Sequence, residues 1–130
     1  MGDNDPGGAA AATERWDQVL EALSARPRRS VLAALSDVPG ERRVPLPDAV
    51  TVAEPTADAT HLEMALRHHH LPLLASAGYV RWSDDPFVVQ RGPNYEEVGS
   101  LIEVLLSAGE DLPDELTAGW GEPELGGKYV

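Results

Sequence analysis

A mainly α fold with a small β wing, an α+β class, is what this 130-residue chain predicts. Three observations lead there. Apolar residues recur at helical spacing at Trp16, Val19, Leu20 and Leu23, at Val31, Leu32 and Leu35, and at Leu66, Leu71, Leu74 and Ala77. A fourth stripe runs through Val98, Leu101, Ile102, Leu105 and Leu106. From Tyr79 to Arg91 the pattern changes to apolar/polar alternation broken by Asp84-Asp85-Pro86, the mark of two short strands and a turn. Gly78 stands between the third stripe and that hairpin, where a helix commonly ends in a left-handed residue that glycine adopts without strain. Helix, glycine stop and strand together form the seam of a winged helix-turn-helix, here with an extra helix at each end.

Taken in order, residues 1–12 combine Gly, Ala, Asp and Pro without periodicity and read as a disordered tail. Thr13 suits the N-cap of a helix to about Ala25. Pro27 suits the first turn of a second helix, to about Ser36. After the Pro39-Gly40 turn, Arg42 to Leu46 form a small strand that Pro45 confines to a sheet edge. Pro47 to Ala53 read as a short helix, and Asp58 or Thr60 caps the next one, which runs to Ala77. Pro72 lies inside that helix, where its missing N–H and its ring predict a kink. Strands Tyr79 to Ser83 and Phe87 to Arg91 make the wing, and Asn94 caps a last helix to about Ala108. The folded domain is thus expected over residues 13–108, with an acidic flexible tail over 109–130.

Two stretches carry a resemblance. The run HHHLPLLASAGYV from His68 resembles the recognition-helix segment of ArsR-type transcriptional regulators, and LSARPRRSVLAAL resembles the start of their first core helix. The His-Leu-Pro-x-Leu form is most similar to a group of small winged-helix domains of halophilic archaea. The resemblance covers about residues 20–90. It implies a cytoplasmic regulator that binds duplex DNA as a homodimer through the helix from Thr60 to Ala77.

Composition sets limits on function. There are 22 Asp and Glu against 10 Lys and Arg, a net charge of −12, and Lys128 is the single lysine. Such an acid-rich, lysine-poor surface suits a cytoplasm near molar salt. There the Debye length falls to about 3 Å, so close contacts outweigh the repulsion of DNA by the whole chain. The absence of cysteine excludes disulfides and thiolate chemistry. No apolar run approaches a membrane span, and the N-terminus lacks the basic start of a secretory signal. Phosphate loops, nucleophile elbows and zinc-protease motifs are missing, so no enzyme is expected.

The candidate site residues follow from these limits. Arg67, His68 and His69 are the expected base contacts, and Arg81 and Arg91 of the wing the expected backbone or minor-groove contacts. Arg28 and Arg29 belong to a locally positive stretch, residues 26–43, and are further DNA candidates. Consecutive helical residues point about 100° apart, so His68, His69 and His70 cannot share one ion, and neither metal nor cofactor is expected. One histidine should pack beneath the helix while the others face solvent. Trp16, Val98, Leu101, Ile102 and Leu105 make more apolar surface than one contact with the domain covers, and are the expected dimer interface. The alternative is a winged-helix adaptor that binds proteins and reads no DNA sequence.

Overall fold

Residues 6–51 and 58–118 are described by a computed structural model. The chain forms α1 (Pro6–Leu23), α2 (Arg26–Ser36), β1 (Val44–Pro45) and α3 (Asp48–Thr51). It continues with α4 (Ala59–Ala65), a π-helical turn (Leu66–His70), α5 (Leu71–Ser76), β2 (Val80–Asp84) and β3 (Phe87–Arg91). α6 (Tyr95–Ser107), a 3-10 turn (Gly109–Asp111) and α7 (Asp114–Ala118) complete it. The expected Val52-Ala53 end of the third helix and the last part of the acidic tail lie outside the described residues. The described chain is mainly helical, with one three-stranded antiparallel sheet in the order β1-β3-β2. None of its helices is long and apolar enough to cross a membrane.

The core is aliphatic, as a chain with one Phe requires. Leu32 and Leu35 of α2 meet Leu66, Leu71 and Leu74 beneath α4 and α5, with Val89, Tyr79, Val98 and Ile102 closing the sides. Burying each such side chain contributes about 1.5–3 kcal/mol. Pro45 lies on the edge strand, where a residue without an N–H costs the ladder nothing. β1 has two residues, and Leu46 N adds one more bond, to Phe87 O at 2.9 Å.

Pro72 produces a change of pitch where a kink was expected. In a regular helix its ring would crowd the carbonyl of His68. Instead the backbone widens over Leu66–His70, and Leu71 N bonds Leu66 O, five residues back. The wider turn brings Leu66 and Leu71 onto one buried side, although residues five apart on a regular α-helix point about 140° away from each other. Gly78 then ends α5 with φ at 81°, as the sequence predicts. A Cβ there would stand 2.6 Å from Asn94 Nδ2, so the position also needs glycine for space. Asn94 spends its side chain on Ala77 O, at 3.1 Å, and makes no side-chain cap for α6.

The ends differ from expectation. α1 begins at Pro6, seven residues before Thr13, because Ala9 to Ala12 have the highest helix propensity. Thr13 Oγ1 bonds Ala9 O inside that helix at 3.1 Å and caps nothing. The expected tail from residue 109 contains the 3-10 turn and α7. α6 closes the core with Val98 and Ile102, both at 0% exposure, so these two cannot belong to an interface with a second copy. Leu101, Leu105 and Leu106 are half-buried at its side. Trp16 at 57% and Leu20 at 55% face solvent, while Val19 and Ala22 enter the core.

Candidate nucleic-acid interface

Asp58 is the cap that starts the central helix. Its carboxylate accepts Thr60 N at 3.0 Å and His61 N at 3.4 Å, which supplies two of the amide donors a helix N-terminus leaves free. The helix then exposes His61, Met64, His68, His69, Pro72 and Ser76, while Leu62, Leu66, His70, Leu71 and Leu74 face inward. One side of this rod is therefore open to a partner, and the β2–β3 hairpin stands beside it.

Arg67 is drawn toward the hairpin. Its Nε and Nη2 donate to Glu63 Oε2 at 3.1 and 2.8 Å, and Nη1 donates to Asp84 Oδ1 at 2.6 Å. The guanidinium also lies 3.8 Å from the centre of the Phe87 ring, within cation–π range. Glu63, one helical turn away, does most to raise the pKa of this guanidinium, partial burial opposes it, and Asp84 adds to the rise. Arg67 thus fastens the rod to the tip of the hairpin and does not project from it.

The three histidines divide as their positions on the helix require. His68 and His69 are exposed and His70 is buried. Arg28 Nη1 lies 2.8 Å from His70 Nδ1. A guanidinium carries only donors, so Nδ1 must accept and His70 is neutral with its proton on Nε2. Burial, then Arg28, then His69 lower the His70 pKa from 6.5 to about 4. His69 Nε2 sits 3.5 Å from the same Arg28 nitrogen, so of the three histidines His68 is the one with no described hydrogen bond.

Several expected DNA contacts are corrected by this geometry. Arg28 is 3% exposed. It donates to Glu21 O at 2.9 Å, Ala22 O at 3.3 Å and Ser24 Oγ at 2.9 Å, and so satisfies the last carbonyls of α1. Arg29 donates to Leu23 O at 2.7 Å and continues that cap. Arg91 turns inward, bonding Leu35 O at 2.9 Å and Val38 O at 3.0 Å and lying 4.7 Å from the Tyr95 ring centre. Arg28 and Arg91 thus hold the ends of α1 and α2 and are not available to phosphate. Arg81 is exposed, but on the opposite face of the sheet from Trp82, Val89 and the helices. Of the expected contacts the structure brings together Arg67, His68 and His69.

The i, i+4 spacing of Glu63 and Arg67 was a readable signal for their pair. The placement of Arg28 against His70 spans 42 residues and has no local signal. Comparison of the chain with family models, with curated proteins and with solved structures finds no significant match.

Proposed function

We propose that this chain is a winged-helix regulator of transcription, cytoplasmic in a halophilic archaeon, which binds duplex DNA as a homodimer and catalyses no reaction. The observation that supports this best is the order α2–β1–α3, then α4 and α5, then β2–β3. It gives an eighteen-residue helical rod, capped by Asp58, open along one side, and followed through Gly78 by a hairpin that stands beside it. In winged-helix proteins the corresponding helix enters the major groove. His61, His68 and His69 would face the bases. Arg67 would exchange its two exposed carboxylate partners for a phosphate or a guanine edge, since exposed ion pairs hold their partners weakly.

The dimer rests on the face shared by α1 and α6. Trp16 and Leu20 are exposed there, as is Val104 at 61%. A groove of about 270 Å³ between the helices is lined by Trp16, Val19, Glu97 and Leu101. Leu101 and Leu105, both half-buried, extend the apolar surface, and contiguous exposed apolar patches mark interaction sites. A two-fold pairing through this face would present two rods to successive turns of a duplex. Light scattering at high salt should give a dimeric mass for the full chain and a monomeric one for Trp16→Glu/Val104→Glu. Both substitutions lie outside the core. A monomeric mass for the unaltered chain contradicts the pairing.

A second reading, an adaptor that binds proteins through the same rod, is favoured by the acidic wing tip. Asp84 and Asp85 are exposed there, and Arg67 is the single arginine of the rod. Genome-wide immunoprecipitation of the tagged chain at native salt separates the two. Discrete genomic sites, lost in Arg67→Ala, support the regulator, whereas crosslinking to proteins without enriched sites supports the adaptor.

A further inference from the structure

We propose that the exposed side of the rod holds a copper(I) site made by His61, Met64 and His68. The spacing places these residues. Met64 follows His61 by three positions and precedes His68 by four, and side chains three and four apart are neighbours on a helix surface. All three are exposed, Met64 at 57%. With about 1.5 Å of rise per residue, His61 and His68 stand at most about 10 Å apart along the rod, with Met64 between them. Two imidazoles turned toward each other span that length with one ion between their nitrogens. The wider turn at Leu66–His70 advances less per residue, which shortens the span and swings His68 back toward the line of Met64.

These side chains have no other employment in the fold. The backbone N–H of His61 bonds Asp58, but its ring and that of His68 have no hydrogen-bond partner among the described residues. Met64 lies outside the core, where methionine ordinarily serves to fill gaps. The run of three histidines still cannot share an ion. His70 is buried, and His69 lies 3.5 Å from the Arg28 guanidinium, whose charge repels a cation. Arg67, the cation next to His68, is balanced by Glu63 and Asp84. His68 is therefore the histidine of that run open to an ion.

The donors select the ion. Zinc in proteins draws three or four ligands from Cys, His, Asp and Glu, and among the described residues no three of those types converge. Calcium and magnesium require oxygen ligands, and Glu63, the carboxylate of this stretch, is held by Arg67 at 2.8 Å. A thioether is a poor donor to all of these ions and a good one to copper(I), which imidazole also binds. Copper(I) accepts fewer donors than zinc, and a nearly linear pair of nitrogens with sulfur at the side suits two imidazoles facing along a helix.

The full chain, kept anaerobic with ascorbate in chloride-free potassium sulfate, tests this by titration with copper(I) supplied as its acetonitrile complex. Chloride is left out because it binds copper(I) itself. The Met64 methyl resonance and the ring resonances of His61 and His68 should shift together and stop at equimolar ion, with the Met1 methyl unmoved. Zinc(II) at the same concentration should leave the Met64 methyl in place. Met64→Leu keeps the bulk and removes the sulfur, and His61→Gln removes one ring nitrogen donor. Either should weaken copper(I) binding at least about tenfold, a loss that even supporting groups at metal sites produce. Both positions are exposed, so the circular dichroism of the variants should be unchanged. No DNA is present, so the outcome is independent of whether the rod reads a duplex. An unmoved Met64 methyl at equimolar copper(I), native affinity in Met64→Leu, an equal response to zinc(II), or the largest shifts at Met1 or His69 would overturn the proposal.

Discussion

Replacing Arg28 by Ala is expected to destabilise the chain by about 3 kcal/mol, more than any surface change. Ala22 O, Ser24 Oγ and His70 Nδ1 lose the donor that Arg28 supplies, and Glu21 O is left with Ser24 N and Ser24 Oγ. Ala22 O and His70 Nδ1 belong to buried residues, where water has little room to replace the guanidinium. Burial also lowers the pKa of Arg28, while the charge of Glu21 raises it. The guanidinium stays charged because its ordinary pKa lies so far above neutrality. Arg28→Lys should recover only part of the loss, because one ammonium cannot span the acceptors that the guanidinium fork reaches. Urea unfolding gives the measurement, with the midpoint shifted and the m-value unchanged. A loss below about 1 kcal/mol would show that the cluster is not a structural joint.

Acid should weaken the same joint through His70. The unfolded chain takes up a proton near pH 6.5, whereas the folded one resists until about pH 4. Between those values the unfolded state binds more protons, so stability rises with pH. The contribution is complete above pH 6.5 and is lost as pH falls through about 4. At 1.36 kcal/mol per pH unit the loss approaches about 3 kcal/mol. The physical event is a second N–H on the imidazole facing the Arg28 guanidinium. Carboxylates titrate near the lower end of this window, so the informative quantity is the difference from His70→Asn, whose amide oxygen stands near Nδ1 and does not titrate. The denaturation midpoint of the native chain should fall more steeply over this range than that of the variant. Parallel slopes would show that His70 protonates without disturbing Arg28.

These two residues also show where sequence reasoning stops. Gly78, the edge position of Pro45 and the turn at Asp85-Pro86 were legible because each is dictated by local backbone chemistry. The spacing of five between Leu66 and Leu71 was visible too, and it is the trace of the π turn that Pro72 requires. Long-range satisfaction of polar groups was not visible. Nothing local distinguishes Arg28 and Arg91, which cap helices from outside them, from Arg81, which faces solvent. The same holds for α6. Its stripe is readable, but which part of it enters the core depends on Leu32, whose carbonyl receives the Tyr95 hydroxyl at 3.1 Å. Ala9 to Ala12 carry no apolar periodicity that would extend the α1 stripe, and their high helix propensity is the signal for its early start.

The central claim, that the rod of α4 and α5 meets duplex DNA, is tested most directly by the role of Arg67. Duplex fragments recovered from the genome can be titrated in molar potassium chloride against the native chain, Arg67→Ala, and Glu63→Gln/Asp84→Asn. Arg67→Ala should lose about tenfold or more in affinity, because it removes the one cation of the rod. The double variant should bind more tightly than the native chain, since it frees Arg67 and removes two negative charges at the contact. Equal affinity for all three proteins would contradict the claim.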